Sequence, residues 1–263
     1  MPSAMSFFVR IFSMVLIVGT TFLAIESADA GEAAIEARVF KSATGDTMPY
    51  RIFIPADYDP KEKYPLALCL HGAGGRGKDN MSRGTEAFNV LSSPEVQREY
   101  PSILVTPQCP ENANWSSRPT DSTVRYIDFV LEVLDNLEKE FSIDHSRLYV
   151  TGQSMGGYGT WAAITTKPNR FAAAVPVCGG GNSGAVKEIV HLPSWVFHGE
   201  KDKVVPTQKS REMVAALKKE GSTVIYTEYP GMGHASWIPA WKETDLIPWL
   251  FKQENKSGAD RGK

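Results

Sequence analysis

The amino-acid sequence predicts an α/β domain whose sheet is mostly parallel. Short apolar runs alternate with amphipathic helical patterns from Pro49 onward, and several of these runs contain no alternating polar residues. Uninterrupted apolar runs are typical of strands that are buried on both faces of a parallel sheet. A strand–helix alternation of this kind predicts right-handed crossovers in a sheet of about eight strands that is flanked by helices.

The individual elements follow from the same patterns. The clearest helix is predicted from about residue 121 to residue 141, where apolar residues fall on one stripe. Further helices are predicted around 213–217 and over 241–252, and two short helices are expected within 76–101. Residues 179–193 leave room only for a loop and one short helix, so no large cap domain is expected. The predicted strands are Tyr50–Ile54, Leu66–Leu70, Ile103–Thr106, Leu148–Thr151, Ala172–Cys178, Ser194–His198 and Thr223–Glu228.

The first 30 residues are predicted to be a signal peptide. Arg10 is the only basic residue there, and the apolar run Ile11–Ile25 has the length of a signal-peptide core rather than of a membrane span. Ala28-Asp29-Ala30 supplies small residues at the positions that a signal peptidase reads, which predicts cleavage before Gly31. An uncleaved membrane anchor is the alternative.

The rest of the chain is predicted to be one domain. Residues 31–253 contain no linker, internal repeat or low-complexity tract that would divide them, so we expect a single catalytic domain there. Residues 254–263 are rich in Lys, Gly and Asp and are expected to form a disordered tail. With the signal peptide, this organisation predicts a secreted or periplasmic protein.

Charge and cysteine content exclude several classes of function. The 28 basic residues nearly balance the 30 acidic residues, and the formal net charge is −2. Because nucleic acids and anionic membranes select a basic face, neither is an expected partner. The 3 cysteines are too few for a disulfide framework, and no clustered His/Cys set indicates a metal site. We therefore expect no metal and no organic cofactor, while the oligomeric state stays open.

A nucleophile motif lies between a predicted strand and a predicted helix. The motif is Gly152-Gln153-Ser154-Met155-Gly156, which follows the buried strand pattern of 147–151 and precedes the helical pattern of 156–163. This order suits a strained turn on which Ser154 projects from the sheet edge. An ordinary glycine-rich turn is the alternative interpretation.

A serine nucleophile requires a base to take its proton and an acid to orient that base. On this type of fold the chain order is serine, acid, histidine. His71 and His145 precede the serine, while His191 lies before a strand and His198 ends that strand. His234, in a glycine-rich loop after the next strand, is therefore the predicted base.

Two carboxylates follow the strand 194–198 closely enough to be the acid. Glu200 and Asp202 both qualify by position. Asp202 is preferred, because the apolar residues of 203–206 would fold the loop back and bury its carboxylate beside the imidazole. Glu200 stays as the alternative.

An oxyanion intermediate requires two backbone N–H donors. Met155, directly after the nucleophile, is the first predicted donor. The second is expected from the loop His71–Gly75, with Ala73 preferred and Gly74 as the alternative. A phosphate-binding loop is not favoured there, because the loop lacks a GKS or GKT ending and the GxGxxG spacing.

The combined motifs resemble those of secreted α/β-hydrolase esterases sometimes labelled predicted peptidases, which are similar to polyhydroxybutyrate-depolymerase-like and feruloyl-esterase-like proteins. The resemblance covers about residues 49–252. Gln153 departs from the more usual aliphatic residue, and Ala235 stands where Asp is common. The motifs are Leu70-His71-Gly72-Ala73-Gly74-Gly75-Arg76-Gly77, Pro107-Gln108-Cys109-Pro110 with Trp115, Gly152-Gln153-Ser154-Met155-Gly156-Gly157-Tyr158, Phe197-His198-Gly199-Glu200-Lys201-Asp202 and His234-Ala235-Ser236-Trp237.

The predicted function is that of an exported serine esterase that cleaves carboxylic esters through an acyl-enzyme. Short-chain or plant-polymer esters, acetyl or feruloyl, are the expected substrates, either as small molecules or on a polymer. Gly74, Trp115 and Trp237 are predicted to contact substrate, whereas Tyr158 is expected mainly to pack. The alternatives are a peptidase of the prolyl-oligopeptidase-like type and a catalytically silent binding protein with the same fold.

Overall fold

A computed structural model describes residues 33–42, 45–80, 84–119 and 124–256. The predicted signal peptide lies outside the described residues. In chain order the strands are β1 (Ala34–Lys41), β2 (Thr47–Ile54), β3 (Tyr64–Leu70), β4 (Ile103–Pro107), β5 (Ile143–Gln153), β6 (Ala173–Val177), β7 (Trp195–Gly199) and β8 (Ile225–Tyr229). The helices are α1 (Glu86–Leu91), α2 (Pro94–Glu99), α3 (Tyr126–Glu140), α4 (Met155–Thr166), α5 (Gln208–Lys219), α6 (Trp237–Ala240) and α7 (Leu246–Phe251).

The strands form one sheet in the order β1-β2-β4-β3-β5-β6-β7-β8. β1 pairs with β2, and β2 with β4, in antiparallel fashion, whereas all pairs from β4 to β8 are parallel. Every residue of β3, β4 and β6 is buried, as expected for strands covered on both faces. The predicted mostly parallel sheet of about eight strands is confirmed.

Helices cover both faces of the sheet. Apolar residues of α3, α4 and α5 belong to the core on one face. Those of α1, α6 and α7 belong to the core on the other face, where Val96 of α2 also packs. Since the six parallel strands all point the same way, their carboxyl ends and the loops that follow them meet at one edge of the sheet, where ligands bind in folds of this type.

Most predicted elements are confirmed, with two differences. The sequence does not predict β1 as a strand, because this strand lies at the edge of the sheet and contains no buried apolar run. Most of its residues are exposed. The helix predicted over 241–252 is confirmed only in part, since α7 is limited to Leu246–Phe251 and α6 ends at Ala240, before this range. Pro248 explains the late start of α7, because in a helix that began earlier its ring would clash with the carbonyl four residues before it and its nitrogen could not donate.

The connection between β6 and β7 contains only a 3-10 turn, Ser183–Ile189, so in the described residues no cap domain is inserted there. The two short helices expected within 76–101 are α1 and α2. The residues that the structure describes all belong to one compact unit. In the part of the predicted tail that the structure describes, the Asn255 backbone N–H donates to the Ser146 carbonyl at 2.8 Å.

Candidate active site

Ser154 occupies a strained turn between β5 and α4. Its φ is +56° and its ψ is −118°, a backbone conformation that residues other than glycine rarely adopt. The flanking glycines permit this turn. A Cβ on Gly152 would lie 2.3 Å from the Gly156 carbonyl oxygen, and one on Gly156 would lie 1.9 Å from the Leu70 carbonyl oxygen. The sequence therefore requires glycine on both sides of the serine.

The three residues predicted to act as nucleophile, base and acid are brought together. The Ser154 hydroxyl lies 2.9 Å from Nε2 of His234, and Nδ1 of His234 lies 2.7 Å from Oδ2 of Asp202. Since the carboxylate only accepts, Nδ1 carries the proton, which leaves Nε2 free to accept from the serine. This tautomer is the one that a base for Ser154 requires.

The Asp202 side chain is fully buried and held by backbone donors. Its Oδ1 accepts hydrogen bonds from the N–H groups of Val204 at 2.8 Å and Val205 at 3.0 Å. Burial alone would raise the pKa of this carboxyl, but the hydrogen bonds from His234, Val205 and Val204 outweigh it and hold the pKa below its usual value. Asp202 is therefore a fixed carboxylate at neutral pH.

Glu200, the alternative acid, points elsewhere. Its exposed carboxylate accepts a hydrogen bond from the Gly231 N–H at 2.7 Å, in the turn that leads to the predicted base. The geometry therefore distinguishes the two carboxylates. Asp202 contacts the imidazole, whereas Glu200 supports the loop that carries it.

The predicted oxyanion donors lie on either side of Ser154. Met155 is the first residue of α4, where a backbone N–H has no acceptor within the helix. Ala73 begins a 3-10 turn, Ala73–Gly75, that follows β3. Among the described hydrogen bonds, Ala73 and Gly74 donate none through their backbone N–H groups. The backbone N–H groups of Met155 and Ala73, the two predicted donors, are therefore available to a ligand.

A buried histidine supports this loop from below. Nε2 of His71 accepts from the Cys109 N–H at 3.0 Å, so Nδ1 carries the proton and donates to the Gly72 carbonyl at 2.6 Å. Burial lowers the pKa of His71 to about 4, with the nearby Arg76 charge acting in the same direction and the Gly72 bond opposing it. His71 is therefore neutral at physiological pH. Its ring lies 4.9 Å from that of Trp115.

Two cavities meet at Ser154. One, of about 400 Å³, is mainly apolar, and its lining includes Trp115, Met155, Tyr158 and Val205. The other, of about 360 Å³, lies on the far side of the serine. It is bounded by the loop 71–75 together with Gln153, Val204, His234 and Trp237. An ester with substituents on both sides of its carbonyl would have a separate space for each.

A third cavity, of about 680 Å³, continues beyond Tyr158 and Ser116, which also line the apolar cavity. Its walls carry hydroxyl and amide groups from Ser116, Thr165, Thr166 and Asn182. Arg125, the charged residue of its lining, is paired with Asp128 at 2.7 Å. The indole N–H of Trp161, which also lines it, has no hydrogen-bond partner in the described part of the chain. This cavity is more polar than the other two, and the charge of Arg125 is paired.

The predicted substrate residues occupy different positions. Gly74 and Trp237 line the second cavity, where the Trp237 ring lies edge-on to His234 at 5.2 Å. Trp115 borders the apolar cavity but is only 1% exposed, and its indole donates to the His71 carbonyl. Tyr158, which was expected mainly to pack, is 37% exposed at the junction of two cavities. The exposed part of Tyr158 is accessible from both cavities, while the larger part of the side chain packs against the protein.

One group of potential metal ligands lies at the same place. Within the described residues, Cys178, Asp202 and His234 have ligand atoms within 4.8 Å of one another. The Asp202 and His234 atoms already bind each other, and burial raises the pKa of the Cys178 thiol to about 12. A thiolate ligand is therefore disfavoured, and these residues fit a hydrogen-bonded relay better than a metal site.

Some residues at the site were not recognised from the sequence. Val204 and Val205 fix the acid through their backbone N–H groups, which carry no side-chain signal. His198 was set aside because it precedes the acid, yet its Nε2 lies 3.3 Å from Oδ2 of Asp202. Its position directly at a strand end was the signal that could have found it.

A serine on a strained strand–helix turn, hydrogen-bonded to a histidine and through it to an aspartate, on a mostly parallel sheet, defines a serine hydrolase of the α/β-hydrolase class. The sequence matches the Esterase family, described as "Putative esterase", over residues 41–182. Because this match covers more than half of the chain, the protein belongs to that family.

Three similar proteins agree with this assignment. A crystal structure of a thermostable esterase is 42% identical with a TM-score of 0.77, covering 84% of this chain and 63% of that one. "Bifunctional acetylxylan esterase/xylanase XynS20E" of Neocallimastix patriciarum is 28% identical over 171 residues, 65% of this chain and 24% of its own length. "Probable feruloyl esterase C" of Aspergillus niger is 28% identical over 201 residues, 75% of this chain and 69% of its own length. The chain thus spans less than two thirds of the first two proteins.

In the part of the chain that the structure describes, no helix has the length and apolar character required to cross a bilayer.

Proposed function

We propose that the protein hydrolyses carboxylic esters through an acyl-enzyme. The observation that carries this proposal is the pair of hydrogen bonds from Ser154 to His234, at 2.9 Å, and from His234 to Asp202, at 2.7 Å. Ser154 attacks the ester carbonyl while Nε2 of His234 takes its proton. His234 then returns that proton to the leaving alcohol. Asp202 holds the imidazole in the required tautomer and stabilises the imidazolium.

The oxyanion of the tetrahedral intermediate is assigned to the backbone N–H groups of Met155 and Ala73. The positive end of α4 also faces Ser154 and adds to the stabilisation of a negative charge. His234 then takes a proton from a water molecule in the same way, and this water attacks the acyl-enzyme. No step of this scheme requires a metal or an organic cofactor.

Substitution of the serine tests the scheme. We expect Ser154→Ala to lower kcat by ~10⁴-fold or more, because a triad without its nucleophile keeps only residual catalysis. The variant should fold normally, since only a hydroxyl is removed. A fluorophosphonate should label the wild type at Ser154 and leave the variant unlabelled. Ester turnover by Ser154→Ala above a tenth of the wild type would contradict the assignment.

The proposed substrates are short-chain or plant-polymer esters, acetyl or feruloyl, carried by a small molecule or a polymer. The names of two similar proteins, an acetylxylan esterase/xylanase and a feruloyl esterase, support this class. Kinetics on nitrophenyl acetate, acetylated xylan, methyl ferulate and a peptide amide would test it. Faster turnover of the amide would favour a peptidase, and no turnover or labelling at all would favour a binding protein.

The polar cavity beyond Tyr158 is proposed to hold the hydroxylated part of such a substrate. Its hydroxyl and amide groups can bind sugar or phenolic hydroxyls, and the pairing of its Arg125 charge suits a neutral group. We expect Asn182→Ala to raise KM for acetylated xylo-oligosaccharides about fivefold, as one lost hydrogen bond predicts. KM for nitrophenyl acetate, which is too short to reach that cavity, should not change. An equal effect on both substrates would contradict this role.

Export is proposed from the signal-peptide pattern. N-terminal sequencing of the protein recovered from outside the cytoplasm is expected to begin at Gly31. If the chain is recovered only from membranes and still contains residues 1–30, the result would favour the uncleaved anchor.

A further inference from the structure

A second buried histidine contacts the acid of the proposed triad. His198 is fully buried near the end of β7. Its Nε2 lies 2.9 Å from the Val205 carbonyl oxygen and 3.3 Å from Oδ2 of Asp202. The same Oδ2 accepts the hydrogen bond from His234. One carboxylate oxygen therefore lies between two imidazole rings.

The proton positions on His198 follow from its partners. The Val205 carbonyl and the Asp202 carboxylate only accept, so Nε2 must carry a proton. It donates this proton to the Val205 carbonyl, and Oδ2 of Asp202 lies beside it at 3.3 Å. In the neutral imidazole Nδ1 is then an acceptor. The Ser210 hydroxyl lies 2.7 Å from that nitrogen and 3.0 Å from the Gly179 carbonyl oxygen, so its single proton can be donated to either acceptor. Burial lowers the pKa of His198, which favours this neutral form.

Val205 links Asp202 and His198 through its two backbone groups. Its N–H donates to Oδ1 of Asp202 at 3.0 Å, while its carbonyl accepts from His198. Oδ1 is thus held by the backbone N–H groups of Val204 and Val205, while Oδ2 accepts from His234 and lies beside Nε2 of His198. Rotation of the carboxylate about its Cβ–Cγ bond would break bonds on both oxygens at once.

We propose that His198 is a positioning residue, whose Nε2–H fixes the carboxylate plane of Asp202 so that Oδ2 stays aligned with Nδ1 of His234. This inference rests on the proposed function, because it assigns to His198 a role in the same relay. His198 is fully buried and lines neither of the two cavities that meet at Ser154. Its effect on the reaction is transmitted through Asp202 alone.

Paired substitutions separate this role from simple core packing. We expect His198→Phe, which keeps a ring but removes both nitrogens, to lower kcat about tenfold or more with KM within about twofold. His198→Gln places an amide N–H near the position of Nε2 and should restore kcat to within about threefold of wild type. His191→Phe, at an exposed position before β7, is the matched control and should leave kcat unchanged. All rates are taken per active site titrated with a fluorophosphonate, which removes the effect of misfolded protein.

A core-packing role gives a different result. His198→Phe would then lose thermal stability but keep the wild-type kcat per titrated site, and that outcome overturns the proposal. If His198→Phe does not fold, His198→Met takes its place, because methionine fills a similar volume and carries no N–H that could reach Asp202. A wild-type kcat in that variant would likewise count against the proposal.

A spectroscopic measurement tests the contact without relying on turnover. In protein labelled with ¹⁵N-histidine, we expect His198 to be protonated at Nε2 and unprotonated at Nδ1 between pH 6 and 8. A Nδ1–H tautomer would overturn the proposal, since Nε2 would then have no proton to donate to Asp202. Failure of the wild type to hydrolyse any ester would instead contradict the proposed function, so the two failures are distinguishable.

Discussion

The loop that carries the proposed acid and the loop that carries the proposed second oxyanion donor are built in opposite ways. In the acid loop, residues 199–207, the functional group is a side chain, and backbone N–H groups of Val204 and Val205 hold it. In the oxyanion loop, residues 71–77, the proposed functional group is a backbone N–H, and side chains hold the loop. When the functional group is a side chain, its residue type can be recognised in the sequence. When the functional group is a backbone N–H, the sequence shows only the small residues that leave space around it.

Each loop also rests on a buried histidine, and the two histidines carry their protons on different nitrogens. His71 donates through Nδ1 to the Gly72 carbonyl, whereas His198 donates through Nε2. Both are neutral because burial disfavours the charged form. The oxyanion loop has a further support in Gln108, whose amide donates to the Gly75 carbonyl at 3.3 Å. The two histidines therefore support these loops through neutral hydrogen bonds and add no charge beside the reacting atoms.

The largest effect is expected from a substitution of Asp202, the proposed acid. Asp202→Asn should lower kcat by ~10⁴-fold, because the amide can donate to Nδ1 of His234 and so stabilise the wrong tautomer. KM should change little, since the carboxylate is buried away from the cavities. Steady-state kinetics on nitrophenyl acetate would measure both constants.

The matched control is Glu200→Gln. This residue lies in the same loop. Among the described hydrogen bonds, its side chain accepts from the Gly231 N–H, and the amide oxygen of Gln can still accept that bond. We expect its kcat within a few-fold of wild type. The opposite ranking of the two variants would transfer the acid role to Glu200.

The next effect concerns His71, in the oxyanion loop, and is measured as a change in the free energy of unfolding. The folded pKa of His71 is about 4, below the ~6.5 of a free imidazole. Between these values the unfolded chain binds a proton that the folded chain does not. The free energy of unfolding should therefore fall on acidification through this window, by about 1.4 kcal/mol per pH unit from this residue.

Urea unfolding at pH 7, 5.5 and 4.5 would measure this dependence. Asp202 contributes in the same direction at lower pH, because its pKa is held below the usual value and its stabilisation is lost as pH falls. His71→Gln, which keeps a donor and an acceptor, should remove the His71 part while leaving the Asp202 part. An unchanged slope in His71→Gln would show that His71 is already charged in the folded protein.

The fold could be predicted, and the three residues of the proposed triad could be selected, because their signals are local. Buried parallel strands require unbroken apolar runs, and the strained conformation of Ser154 requires glycine at positions 152 and 156. The choice of His234 and Asp202 followed from chain order and strand ends. These constraints act within a few residues, so one sequence was enough.

What the sequence did not predict depends on contacts between distant segments. β1 is a strand because of its pairing with β2, since its own residues are mostly exposed. The exposure of Tyr158 and the burial of Trp115 depend on how the segment before α3 packs on α4, where a Cβ on Gly159 would lie 2.6 Å from the Trp115 ring. His198 and Asp202 are four residues apart, but only the folding back of the loop at Val205 brings them together.

The smallest effect is expected from two neighbouring glycines of the oxyanion loop. A Cβ on Gly75 would lie 2.5 Å from Cγ of His71, a ring that its bonds to Cys109 and Gly72 hold in place, so Gly75→Ala should displace the loop instead. A shifted Ala73 N–H would stabilise the oxyanion less well, and we expect kcat about tenfold lower, below the ~10²–10³-fold cost of losing a donor outright. A Cβ on Gly74 meets nothing within 4 Å, so Gly74→Ala should keep kcat close to that of wild type. Because both variants make the same chemical change one residue apart, equal kcat values would mean that the position of this loop does not affect the reaction.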